Sequence, residues 1–230
     1  MLQRECVLQE QAAALVSEAR ERVAHPTLST DWWVLECGGG GDCLFHALGR
    51  ALGESMLTVR DWAAHGVTVA NVDRLLEYYT TIYPVGSWSR EDVRSAPDRV
   101  AALRAVIRTP GPSYEGDDTT LRLLVSQPDV ALAVVVVAGQ EVYPQIFANR
   151  HSQRLVVLYH RGNHWQLAAW QPEPQCPHLW LQLDPFAPPA SLWQALSREA
   201  GVADLWEAFG HWEPRLELDG QSPETNVSLF

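Results

Sequence analysis

The chain has 230 residues, with 17 Lys+Arg against 28 Asp+Glu and a formal net charge of −11. Its 47% hydrophobic and 20% charged content is that of a packed globule and excludes a disordered chain. The acid excess and the lack of any Lys/Arg cluster exclude a nucleic-acid binder, because such proteins neutralise phosphates with grouped basic side chains.

In chain order, Leu8, Ala12, Leu15, Ala19 and Val23 recur at helical spacing and predict an amphipathic helix over 3–24, stopped by His25-Pro26. Residues 1–29 are read as a helical extension that covers the core, and residues 30–188 as the main domain. Met1 to Glu10 contain Arg4 and Glu5 and no apolar stretch, so no secretory signal is expected. Trp32 to Leu35 reads as a short strand. It runs into Cys37-Gly38-Gly39-Gly40-Gly41-Asp42, a loop, because successive glycines lose too much entropy inside a regular element. Cys43 to Leu52 reads as a helix, followed by helices near 58–64, where Thr58 is the expected cap, and over 72–79. Between 81 and 118 prolines break the pattern, with a helix at 98–108. Asp117 and Asp118 are placed to cap a helix through Leu121 to Val125, since a carboxylate accepts the first-turn amides.

The longest apolar run, Val130 to Ala138, is far short of the roughly 20 residues that span a bilayer, so no membrane span is expected. Its β-branched residues over 130–137 predict a strand buried on both faces. Residues 155–160 predict a second strand, Arg161-Gly162-Asn163 a tight turn, and His164 to Trp170 a third. Leu179 to Leu183 predicts a fourth strand ending at Asp184-Pro185. A C-terminal helix over 190–209, within a segment 189–218 packed on the domain, and a loose tail over 219–230 complete the chain. Helices fill the first half and an antiparallel meander the second. The expected class is α+β, a small, mostly antiparallel sheet flanked by helices.

Four cysteines, Cys6, Cys37, Cys43 and Cys176, include no C-x-x-C pair. Neither a zinc site nor a disulfide framework is therefore expected. A reducing compartment, the cytoplasm, fits this usage, and no metal or cofactor is implied.

Chemistry concentrates where strand, glycine loop, Cys and helix succeed one another. A cysteine in the first turn of a helix lies beside free amide hydrogens and the positive end of the macrodipole, which favour thiolate. The glycines let the backbone approach a carbonyl, and the amides of Gly40, Gly41, Asp42 and Cys43 are candidates to hold an oxyanion. A thiolate needs a base. His164, opening a strand after a turn, is the candidate; His160 on the preceding strand competes. For the group that orients His164 two candidates stand. Asp184 is favoured, because a strand-end carboxylate near a hairpin would make a charge-assisted bond. Gln166 is the alternative, two residues on and on the same strand face. Cys37 reads as a strand cap that could also serve as a redox partner.

The stretch Gly40-Gly41-Asp42-Cys43-Leu44-Phe45-His46-Ala47-Leu48 resembles the nucleophile motif of the ovarian tumour (OTU) family of cysteine proteases, D-G-N-C-L-F-R-A-L. Asn163-His164-Trp165 resembles that family's His-aromatic base motif. Thr58-Val59-Arg60 and the segment Tyr114 to Leu121 are similar to two weaker family segments, so the likeness spans about residues 30–170 in the family's order. Gly40 stands where the family has Asp, and Gln166 where it has Asn or Asp. These departures resemble divergent members of the bacterial-effector or viral kind.

The resemblance implies a papain-like OTU fold with Cys43 at a helix start. It implies a cofactor-free deubiquitinase that cleaves (iso)peptide bonds at the C-terminus of ubiquitin or a ubiquitin-like modifier. Cys43 would be the nucleophile, His164 the base, Gly40, Gly41 and Asp42 the oxyanion loop, and Trp165 a shield of the imidazole or a substrate contact. The expected protein is a monomer in the cytoplasm, the host cytosol for an effector. Its acidic surface suits the basic face and Arg-containing tail of ubiquitin. A ubiquitin-binding pseudo-enzyme, or a Cys-His machine for another acyl transfer or peptide cleavage, is the alternative.

Overall fold

The computed structural model describes residues 21–24, 28, 30–82, 90–138, 144–149, 151–173, 178–185 and 187–199. In chain order the elements are β1 (Glu21–Arg22), β2 (Trp32–Leu35), α1 (Cys43–Leu52), α2 (Met56–His65), α3 (Val72–Ile82), α4 (Arg90–Ser95), α5 (Arg99–Arg108), α6 (Asp118–Val125), β3 (Leu132–Ala138), β4 (Gln145–Phe147), β5 (Arg154–Arg161), β6 (His164–Trp170) and α7 (Ala190–Glu199). The predicted N-terminal helix falls on residues 1–20, outside the described residues, except at its end: Glu21 and Arg22 are a strand paired with Val34 and Trp33. Residues 200–230, which include the end of the predicted C-terminal helix and the tail, also lie outside.

The six strands form one mixed sheet in the order β1-β2-β6-β5-β3-β4. Every pairing is antiparallel except β3 with β5, which run parallel. The second half is therefore not a plain meander. β4, which has no clear sequence signal, folds back on β3 at the sheet edge, and β5 then docks on the other side of β3. The first-half strand β2 enters the sheet beside β6.

Strand alternation sorts side chains into two layers. Leu35, Val134, Val136, Val156, Leu158, Trp165, Leu167 and Ala169 pack with the α1–α3 and α5–α6 residues of the main core. Trp32, Val34, Ala133, Val135, Val137, Val157 and Ala168 face the other way, against Leu192, Ala195 and Leu196 of α7. Both faces of β3 are covered, as its unbroken β-branched run requires.

Three helices start with a side-chain cap in the usual extended conformation. Ser55 accepts from the Thr58 amide at 3.0 Å, so Ser55 and not Thr58 caps α2. Asp98 accepts from Ala101 at 2.9 Å. Asp117 and Thr120 form a reciprocal capping box on α6. The predicted strand 179–183 is reduced to two isolated bridges, Trp170 with Trp180 and Leu155 with Leu183.

Candidate active site

The loop between β2 and α1 is built for tight approach. Gly38, Gly40 and Gly41 have φ of 114°, 72° and 93°, the left-handed region where a Cβ is penalised. At Gly41 a Cβ would also lie 2.8 Å from Pro112 Cα, so the loop presses directly on the 111–112 backbone. Cys43 then begins α1 at the position read from the sequence, 7% exposed. The Asp42 side chain does not cap this helix.

Asp42 is committed elsewhere. The fully buried Arg60 of α2 donates Nε to Asp42 Oδ1 at 2.8 Å and adds a second bond from Nη2. The Gly111 amide donates to Asp42 Oδ2 at 2.8 Å. Arg60 continues to the carbonyls of Ile107 (2.6 Å) and Tyr114 (2.9 Å), and its guanidinium lies over the Phe45 ring at 4.1 Å. The Arg of the Thr58-Val59-Arg60 stretch thus ties the glycine loop, the start of α1 and the 107–114 segment into one buried junction.

Within the sheet, β2 and β6 pair with Leu35 opposite Leu167, so Glu36, just past the end of β2, falls opposite Gln166. Glu36 Oε1 meets His164 Nε2 at 2.5 Å, and Gln166 Nε2 donates to Glu36 Oε2 at 2.8 Å. Slight burial raises the Glu36 pKa, but the bonds from His164 and Gln166 and the charge of His164 outweigh it and hold the carboxyl below its usual 4.5. Sequence reasoning missed Glu36. The available signal was its place in alternation with Trp32 and Val34 immediately before the glycine loop; what could not be read was that β2 lies beside β6.

Asp184, the favoured orienting group, is ruled out by register. Leu183 bridges Leu155 at the start of β5, whereas His164 pairs with Arg161 at its end. Six residues separate those ends, about 20 Å at strand spacing. Gln166, the alternative, donates to Glu36, the imidazole's partner, rather than bonding the imidazole itself. Trp165 is in the core and not on a substrate surface: it is 5% exposed, its Nε1 donates to the Gly116 carbonyl at 2.9 Å, and its ring stacks on His160 at 4.1 Å. That stack takes His160 to the face opposite His164.

Leu44 and Trp165 both abut Gly116, where a Cβ would come within 2.4 Å of Leu44 Cδ2. The start of α1 and the start of β6 therefore converge on that residue. No hydrogen bond joins the Cys43 sulfur to the His164 ring among the described residues; the imidazole is held by Glu36. Cys37 and Cys43 are both free thiols, and Cys37 donates to the Leu35 carbonyl at 3.3 Å. Burial, outweighing the nearby Arg50 charge, pushes the Cys37 thiol above its ordinary range, which disfavours it as a second nucleophile. Gly40 is exposed, with φ of 72°, at the mouth of the loop. Among the described residues no group of His, Cys, Asp and Glu could hold a metal ion, and no helix is long and apolar enough to cross a membrane.

No protein-family model matches the chain, and no curated protein matches it in sequence. Among solved structures it is similar to an OTU domain in complex with ubiquitin, at 14% identity and TM-score 0.48, covering 77% of this chain and 84% of that one. It is also similar to an OTU deubiquitinase from Wolbachia pipientis wMel, at 16% identity and TM-score 0.38, covering 60% and 88%. A third is the viral OTU domain protease from Farallon virus, at 15% identity and TM-score 0.41, covering 66% and 89%.

Proposed function

We propose that the protein is a cysteine-type hydrolase acting on (iso)peptide bonds at the C-terminus of ubiquitin or a ubiquitin-like modifier. The observation that supports the reading is the Glu36–His164 pair at the start of β6, next to Trp165, which meets Gly116 as does Leu44, the residue after Cys43. An imidazole fixed through Nε2 by a carboxylate keeps Nδ1 for the thiol, which is the division of labour a thiolate base requires. The ubiquitin assignment rests on the likeness of the residue 40–48 motif to the OTU nucleophile motif.

In this mechanism His164 takes the Cys43 proton, and the sulfur attacks the carbonyl carbon after the terminal Gly of the modifier. Amides of the glycine loop and first helical turn receive the oxyanion. His164 gives its proton to the departing lysine amine as the C–N bond breaks, leaving a thioester. Water, deprotonated by His164, attacks the thioester, and the free carboxylate leaves as thiolate is restored. In such sites the sulfur–imidazole bond is often long until substrate is bound.

The burial of Cys43 favours a second reading, a ubiquitin binder without turnover. A ubiquitin probe with a C-terminal electrophile decides between them. Covalent labelling that is lost in Cys43→Ala supports the hydrolase; probe binding without an adduct supports the binder. Neither labelling nor binding, with turnover of an unrelated peptide panel, would move the same chemistry to another acyl substrate.

A further inference from the structure

We propose that Arg60 is a positioning residue for Cys43, which holds the Asp42 carboxylate away from the first turn of α1. The proposal rests on Cys43 being the nucleophile. An aspartate immediately before a helix ordinarily turns its carboxylate onto the second or third amide of that helix. Asp98 and Asp117 both do so in this chain, with extended backbones. Asp42 occupies the same position before α1 but has φ −102° and ψ 3° and makes no such bond. Both of its oxygens are taken, one by the Arg60 fork and one by the Gly111 amide.

The consequence is electrostatic. A carboxylate capping α1 would occupy the amides that a thiolate or an oxyanion needs and would set a negative charge beside the sulfur. In the observed arrangement that charge is neutralised by a guanidinium with no exposed surface, and no side chain caps the first turn of α1. Among the described residues, the other titratable and charged groups near this end of α1 are His46 on the helix itself and Glu115 and Asp117, which flank the Gly116 that abuts Leu44, with Glu36, Cys37 and His164 at the adjoining ends of β2 and β6. None of these adjoins Cys43 in the chain, as Asp42 does.

The test is the pH dependence of Cys43 alkylation by iodoacetamide, followed on the Cys43 peptide by mass spectrometry and requiring no ubiquitin. In Arg60→Met the released carboxylate should raise the apparent pKa of Cys43 by about one unit, a roughly tenfold slower alkylation below that pKa. Adding Asp42→Asn in the same chain should return the profile toward wild type. If Arg60→Met does not fold, Arg60→Lys keeps the charge without the two-pronged grip and should show a smaller shift in the same direction. A folded Arg60 variant with the wild-type profile overturns the positioning role and leaves the proposed activity standing. A wild-type Cys43 that titrates as an ordinary thiol removes the proposed activity and the role of Arg60 with it.

Discussion

Two carboxylates bracket the glycine loop, and each bonds a nitrogen-bearing side chain in a different environment. Glu36, just before the loop, has a side chain that is 60% exposed and meets a His164 that is 33% exposed. Asp42, at the end of the loop, is 12% exposed against an Arg60 with no exposed surface. Charges in water attract weakly, whereas a buried charge that loses its partner is left with its full desolvation cost. The comparison separates architecture from chemistry. The Asp42 junction fixes where the loop and helix meet, and the Glu36–His164 pair leaves the imidazole partly exposed, as the proposed base requires.

The largest expected effect follows from breaking the buried side. Arg60→Met leaves Asp42 without its guanidinium and should cost about 3–5 kcal/mol, read as a drop in the urea midpoint. A variant as stable as wild type would show that the junction is not holding the loop. On the exposed side, Glu36→Gln should leave the melting curve nearly unchanged and lower turnover by about 10²-fold, the low end of what a positioned acid–base group supplies. Asp184→Asn, at the far end of β5, should leave turnover intact. The opposite ranking of those two variants would restore Asp184 as the orienting group.

Gly41→Ala tests the loop between the two pairs. It forces a Cβ into a φ of 93° and onto the Pro112 backbone, and should destabilise by about 1–3 kcal/mol. The smallest effect is on pH dependence. The folded pKa of Glu36 is below its unfolded value, so its contribution is present above the unfolded value and is lost as pH falls through the folded one. In Glu36→Gln that part of the acid limb should disappear from a stability–pH profile; because the group is exposed, the difference will be slight.

Local signals in the sequence carried far. β2, α1 and β6 begin and end at the residues their patterns indicated, because a four-residue apolar strand, a glycine stop and an alternating run each write their own boundaries. The Cys43 position and the His164 strand start came with them. Pairing between distant segments was not legible. Glu36 and His164 are joined only because β2 inserts beside β6, and nothing near either residue encodes that neighbour. Asp184 was favoured on the assumption that 179–183 continues the meander next to His164. In the fold that segment touches the hairpin only at its Leu155–Trp170 end, so the carboxylate lands at the wrong end of the strands. Trp165 looked like cleft furniture beside a catalytic candidate, yet alternation turns it inward to Gly116.

The two-residue turn at Gly162-Asn163, with Gly162 at φ 68°, sets the count that sends the imidazole outward and the indole inward. A single residue inserted there, with β5 held in place, would slide β6 by one position along its ladder and exchange the two rings. The bulky apolar ring would face Glu36 and a titratable one would be driven into hydrocarbon. The length of that connection is thus a stricter constraint on this molecule than the identity of the residues it contains.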